Sequence, residues 1–498
     1  MKARTVLFHV LRFVASSLAL QPRPTDIQPV TNVPSPLPWT PALCPTECTC
    51  SLLLSRSSFK VLRTVNCSNL GLDLPPMNIS HDTEVVDLSG NRLLTGSLAL
   101  LRDLVNLREL SIVGCLVHSL EDLTLGGHDW SFGARVLNAD DNRLTHLHNR
   151  SFINLADLEN LTLSNNRIES IHPGAFYGLH RLTSLDLTGN RLTTLSDARW
   201  LCQIQTLQCL DLSSNALHSL PDMTFHCLAD LRSLDLSTNR IRQINNDALS
   251  GLDQLRHLSL ADNALGTVPT EALSRLPAIL DLSLSGNAFR ELPIDSFRSS
   301  ATMTSLQLNR MSELQLVGRG SFRNLSSLER LEMRNSPRLK YIHHRAFESL
   351  PRLRILDLGS CALETLDVEL VTSLPSLSWI RLSFNALVCD CVLSWLAQTL
   401  RSNLTGSGLV ISDPEETRCQ FPAELKDVPV GRVPLEQLSG SCGPRILPLF
   451  SHEVQIPMTD PTRIHCRAVG IPRPRSFWVS HAVQDLSHRN NNTEVSML

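Results

Sequence analysis

An α/β-type solenoid with a parallel sheet along one face, sealed at both ends by disulfide caps, is predicted by three features of the 498-residue chain. A leucine frame recurs about every 24 residues, four cysteines cluster before the first frame, and four more follow the last. The frame LxxLxLxxNxL reads LENLTLSNNRI at 158–168 and returns as LTSLDLTGNRL at 182–192, LQCLDLSSNAL at 207–217, LRSLDLSTNRI at 231–241 and LRHLSLADNAL at 255–265. Its Asn slot is filled in turn by Asn91, Cys115, Asn142, Asn166, Asn190, Asn215, Asn239, Asn263, Asn287, Met311, Ser336, Cys361 and Asn385, at spacings of 24 to 27 residues.

Each part of the frame has a physical role. The LxxLxL stretch alternates inward and outward, so each repeat supplies one short strand. Successive strands stack in parallel about 4.8 Å apart and bury leucines that no single repeat covers alone. The period therefore predicts thirteen leucine-rich repeats over residues 81–388, curved into a horseshoe with a concave parallel sheet. The slot Asn carries two donors and an acceptor, which satisfy backbone groups buried where the chain turns inward. Cys115 and Cys361 in that slot are expected to be buried reduced thiols. On the outer side, Phe152, Phe176, Phe225, Phe297, Phe322 and Phe347 recur at one repeat position and are expected to form a buried spine.

A solenoid exposes its core at both ends and needs capping. Residues 44–80 hold Cys44, Cys48, Cys50 and Cys67, and residues 389–442 hold Cys389, Cys391, Cys419 and Cys442. Spacing leaves three pairings open in each cap. The CxC spacing also suits zinc, but beside a repeat array in a secreted chain cystines are expected. Cys202 and Cys227 occupy the same position in adjacent repeats, within reach of a disulfide, so a bridge is predicted there. Cys209 points out of its strand with no evident partner and is expected to be a free thiol.

The flanks place the chain in an oxidising compartment. Lys2 and Arg4 precede an apolar stretch from Val6 to Leu20, the pattern of a signal peptide over residues 1–20. Residues 21–43 are proline-dense and read as a linker. Fourteen cysteines agree with secretion. No later segment is apolar enough to span a bilayer, so membrane attachment is expected only through a further C-terminal segment. Residues 443–498 place Cys466 twelve residues before Trp478, the spacing of an immunoglobulin-type sandwich, but the second Cys does not follow. A partial immunoglobulin-like domain is expected there, with Cys466 left odd.

Composition argues against several functions. A net charge of −3 gives no reason to expect nucleic acid as a partner. The chain holds no GxSxG elbow, HExxH or phosphate-binding loop. The expectation is a non-enzyme with no cofactor and no metal, whose partner is a protein at the cell surface or in the matrix.

The order of parts resembles the neuronal leucine-rich-repeat proteins, with the Lingo-like proteins sharing the same plan. The stretches that carry the resemblance are CPTECTC with TVNCSNLGL at 64–72, SLERLEMRNSPRLKYIHHRAFESLPRL at 327–353 and CRAVGIPRPRSFWVS at 466–480. Caps of this kind imply the pairings Cys44–Cys50, Cys48–Cys67, Cys389–Cys419 and Cys391–Cys442. The resemblance implies a single-pass cell-surface glycoprotein acting in adhesion, receptor modulation or neural development. Two other readings are a secreted matrix or decoy protein and the non-catalytic front of a peroxidasin-like enzyme.

Binding is expected on the concave face. Asp186, Asp211 and Asp235 stack at the middle of three successive strands beside Arg232 and Arg256, although Asp is common at this place in the frame and a solvated strip is the stronger reading of them. Nearer the C-terminus, Ile355, Trp379 and Phe384 are expected to project from that face beside Arg330, Arg334, Arg354 and Arg381. Trp and Arg are enriched in binding hot spots; the competing reading is that the C-terminal cap packs over Trp379 and Phe384. Sequons at Asn66, Asn78, Asn149, Asn160, Asn324, Asn403 and Asn491 mark expected glycosylation sites, with Asn160 on the concave face.

Overall fold

A computed structural model describes residues 37–38, 44–54, 61–94, 96–120, 133–298, 300–402, 408–439, 442–447 and 467–471. The expected signal peptide, most of the linker and of the partial immunoglobulin-like domain, Asn403, Asn491, Cys466 and the side chain of Cys442 lie outside the described residues. The chain divides into two compact units, residues 1–240 with 244–258, and residues 241–243 with 259–498.

The first unit opens on a hairpin. Thr49–Leu54 pairs antiparallel with Val61–Asn66, and Val61–Asn66 then pairs in parallel with Val85–Asp87. One strand thus converts an antiparallel edge into the parallel stack and covers the end of the leucine core. Disulfides Cys44–Cys50 and Cys48–Cys67 pin it, with Cα separations of 6.2 and 4.5 Å. Behind it, Val85–Asp87, Glu109–Ser111, Val136–Asn138, Asn160–Thr162, Ser184–Asp186, Cys209–Asp211 and Ser233–Asp235 stack in parallel and in register. The central residue of each strand is buried and its neighbours reach the outer face, except Ser233, which is buried.

The second unit repeats the plan with Asp281–Ser283, Ser305–Gln307, Arg330–Glu332, Ile355–Asp357 and Trp379–Arg381. It ends in a cap whose strand Val410–Ser412 adds in parallel to Trp379–Arg381. Helix Ser394–Ser402 buries Leu396, Ala397 and Leu400, and Trp395 Nε1 donates to the Leu366 carbonyl at 3.0 Å. Cys389 is bonded to Cys419. Cys391 is also in a disulfide, while the side chain of its expected partner Cys442 lies outside the described residues. Cys442–Leu447 and Arg467–Ile471 pair antiparallel.

The slot asparagines hold neighbouring turns together. Asn142 Oδ1 accepts from Cys115 N and Val117 N, both at 3.0 Å, and Nδ2 donates to Ile112 O at 2.9 Å, Ala139 O at 3.0 Å and Asp140 O at 3.1 Å. Asn190 repeats the scheme with Ile168 N, Leu163 O and Leu187 O. Cys115 and Cys361 keep part of it: their thiols lie 3.2 Å from Leu88 O and 3.3 Å from Met333 O. Both are free and buried, and burial pushes their thiols up to about 11 and about 12, so neither is nucleophilic at neutral pH.

The six spine phenylalanines are 0–1% exposed. Phe152 and Phe176 stack with ring centroids 5.5 Å apart, and Phe322 lies 5.4 Å from Phe347. Trp200 extends the first unit's spine, 5.4 Å from Phe176 and carried on the 3-10 turn Ala198–Gln203. No helix among the described residues is long and apolar enough to cross a membrane.

Candidate functional site

The outward residues of the parallel strands form an exposed face in each unit. Register fixes which side chains become neighbours, because equivalent positions on adjacent strands lie directly opposite. In the first unit, Asp186 pairs with Asp211 and Asp211 with Asp235. Each carboxylate also turns back on its own chain: Asp186 Oδ1 accepts from Thr188 N, Asp211 Oδ1 from Ser213 N and Asp235 Oδ1 from Ser237 N, all at 2.8 Å. An acceptor two residues before an open N–H explains why Asp recurs here. The row is thereby committed to closing the turns after its strands.

That commitment has an electrostatic cost. Burial, then the neighbouring charges of Asp235 and Asp186, push the Asp211 carboxyl up to about 7. Asp140, 8% exposed, is pushed up to about 6 by burial first and then by Asp186, although its Oδ1 accepts from Ser164 N at 2.7 Å. A folded-state value above the unfolded one means the native state binds the extra proton. The associated stability is complete below about pH 4 and is lost as pH rises through the folded value. Asp211→Asn keeps the acceptor and removes the charge. It is expected to stabilise the protein by about 2 kcal/mol at about pH 8, after discounting for partial exposure, and to change nothing near pH 3. Thermal melts of both proteins across that range check the sign.

In the second unit the C-terminal end of the face is apolar. Arg330, Ile355, Trp379 and Val410 fall in one row, each opposite the next. Ile355 and Trp379 are half-buried and Val410 is 53% exposed. Through Val410 the cap continues this row. Along the adjoining row, Arg381 Nε lies 2.8 Å from Asp413 Oδ2 and donates to Ser383 Oγ at 3.0 Å. Asp357 is buried beside Arg381 and Arg334, and burial raises its carboxyl. Arg330 Nη1 lies 3.7 Å from Glu332 Oε1, while Arg334 and Arg354 are exposed.

Phe384 falls just past the last repeat strand. It does not project from the strand, which ends at Arg381. It sits on the turn just before the slot Asn385, with a left-handed φ of 59°, and its N–H donates to Glu416 O of the cap. The same turn position has positive φ at Asn165, Ser214, Asp262 and Ser360, so the repeat imposes the conformation. Phe384 is 55% exposed.

The remaining candidates are placed as follows. Asn160 lies in the strand row between Val136 and Ser184 and is half-buried. Asn78, Asn149 and Asn324 are exposed, whereas Asn66 is half-buried with Oδ1 accepting from Ser68 N at 2.9 Å. Cys209 is a free thiol, raised by burial, opposite Ser184 and Ser233. Cys202 and Cys227 are bonded, with Cα atoms 5.0 Å apart. Val410 was not anticipated, because it stands outside the repeat frame; only the pairing of the cap strand reveals it.

Family comparison matches "Leucine rich repeat" over residues 133–192, 205–265, 301–363 and 335–387, and "Leucine rich repeat N-terminal domain" over 44–80. The array is built of leucine-rich repeats. Vasorin of Mus musculus is 33% identical to this leucine-rich-repeat chain over 98 residues, 20% of the chain and 14% of vasorin. The chain thus spans a small fraction of the length of that relative. Among solved structures, the Toll–Spätzle complex of Drosophila (glycosylated form) matches with TM-score 0.58 and 19% identity, over 74% of this chain and 53% of that one. A chain of the octameric complex of latrophilin 3, Unc5D and FLRT2 matches with TM-score 0.51 and 21% identity, over 80% of this chain and 99% of that one. At these identities the solved structures bear on the fold alone.

Proposed function

We propose that this leucine-rich-repeat protein acts outside the cell or at its surface by binding another protein, without catalysis, through the exposed sheet face of its second unit. The observation that carries the reading is the row Ile355, Trp379 and Val410, an apolar strip continued onto the cap strand, with Arg330 next in the row and exposed Arg334 and Arg354 beside it. Half-buried Trp beside Arg is the composition of an interface centre, where few residues carry most of the affinity. The Asp row of the first unit is a weaker candidate, since one oxygen of each carboxylate is already engaged by its own turn. The cystine caps and the vasorin likeness support the extracellular placement. A role in adhesion, receptor modulation or neural development, with glycans at the exposed sequons, is the finer form of the same proposal.

A screen of the purified chain against extracellular proteins supplies a partner. Trp379→Ala is then expected to weaken that partner about 30-fold, near 2 kcal/mol, while the thermal midpoint stays put. Equal affinity of the variant and the parent removes this face from the proposal.

A further inference from the structure

We infer that Cys202, His226 and Cys227 form a redox-gated site for a thiophilic divalent cation such as zinc, closed while the cystine is intact and open once it is reduced. The three candidate ligand atoms, two Sγ and one imidazole nitrogen, all lie within 4.8 Å of one another. His226 Nε2 is 3.2 Å from Cys227 Sγ and 3.9 Å from Cys202 Sγ.

The tautomer follows from the other ring nitrogen. His226 Nδ1 is 2.6 Å from the carbonyl oxygen of Met223. A carbonyl oxygen only accepts, so Nδ1 carries the proton and Nε2 turns its lone pair toward the sulfurs. Ligating histidines are held in just this way, with the distal N–H on a backbone carbonyl. In the cystine neither sulfur has a proton to offer that lone pair; the Met223 carbonyl alone sets the ring's orientation there. The backbone beneath the ring is fixed as well. Gly251 of the next repeat, at φ +91°, packs so closely that a Cβ there would fall 2.8 Å from His226 Cα and 2.9 Å from His226 O.

The chemistry balances with a dithiol as reductant. Two electrons enter the S–S bond, two protons convert its sulfurs to thiols, and the dithiol leaves as its own disulfide. A divalent cation then displaces the two thiol protons to solvent and takes two sulfurs and Nε2, with water completing a tetrahedron. The covalent tie between adjacent repeats is replaced by a coordinate one. Cys202 and Cys227 are half-exposed and His226 is exposed, so a soluble dithiol reaches this cystine as readily as Cys44–Cys50, whose residues are also half-exposed, and more readily than Cys389–Cys419, which is buried.

The test is limited anaerobic reduction of the whole chain with a soluble dithiol, a thiol count by mass spectrometry, and a cobalt(II) titration. The readout is sulfur-to-cobalt charge-transfer absorption. The reduced protein is expected to bind one equivalent more than a Cys202→Ser/Cys227→Ser variant treated identically, and zinc is expected to bleach the band. The oxidised protein is expected to show no such band. His226→Ala keeps both thiols and is expected to bind at least about tenfold more weakly. Equal cobalt uptake by the reduced parent and the double Ser variant overturns the inference. So does parental affinity in His226→Ala, or a cystine that opens only when circular dichroism reports loss of the fold.

Discussion

Asn142→Asp is expected to lower the stability of the first unit by about 3 kcal/mol or more. The substitution is nearly isosteric, so no cavity forms. The damage is in polarity alone. The amide now donates to the carbonyls of Ile112, Ala139 and Asp140 and accepts from the N–H groups of Cys115 and Val117. A carboxylate keeps the two accepted bonds and loses every donated one. It also aims negative charge at three carbonyl oxygens in a site that is 5% exposed. Hydrogen exchange localises the effect: amides in the turns around Ile112, Ala139 and Asp140 are expected to lose protection together. An exchange pattern and thermal midpoint matching the parent contradict the role given to the slot.

Removing the C-terminal cystine with Cys389→Ala/Cys419→Ala is expected to cost about 3 to 4 kcal/mol. This is the loop-closure entropy of the 30-residue separation it bridges. Both sulfurs are buried, and the adjacent strands Leu387–Val388 and Cys419–Phe421 pair in parallel. The substitution therefore loosens the strand pairing that seats the cap. Denaturant unfolding compares the double variant with the parent. The cost is expected to appear as a shift of midpoint, accompanied by exposure of Trp395, whose indole now donates to Leu366 O. A midpoint within experimental error of the parent shows that packing by Leu396, Ala397 and Leu400 seals the end without covalent help.

Most of the architecture was legible because a solenoid writes its period directly into the sequence. The leucine alternation, the slot residues and the spine phenylalanines are one physical constraint repeated, and repetition separates signal from accident. Trp200 could have been found by the same logic, since it stands one repeat after Phe176. The candidate surface was less legible. Phe384 falls on a left-handed turn because the chain must reverse after Arg381, and outward alternation says nothing about a residue past the strand's end. The Asp row looked like a charged surface, yet its carboxylates close backbone turns; that distinction needs the 2.8 Å contacts. His226 carries no signal in the sequence beyond standing next to Cys227. Its meaning depends on where Met223 O holds the ring.

The strand Val410–Ser412 belongs to the cap by sequence and to the exposed face by pairing. Shortened chains that stop before it therefore cannot map where a partner docks. They would strip one edge from the contact area and uncover the interior in the same cut, so lost binding would report damage and recognition indistinguishably. Point changes at Trp379 or Val410 in the intact chain separate the two.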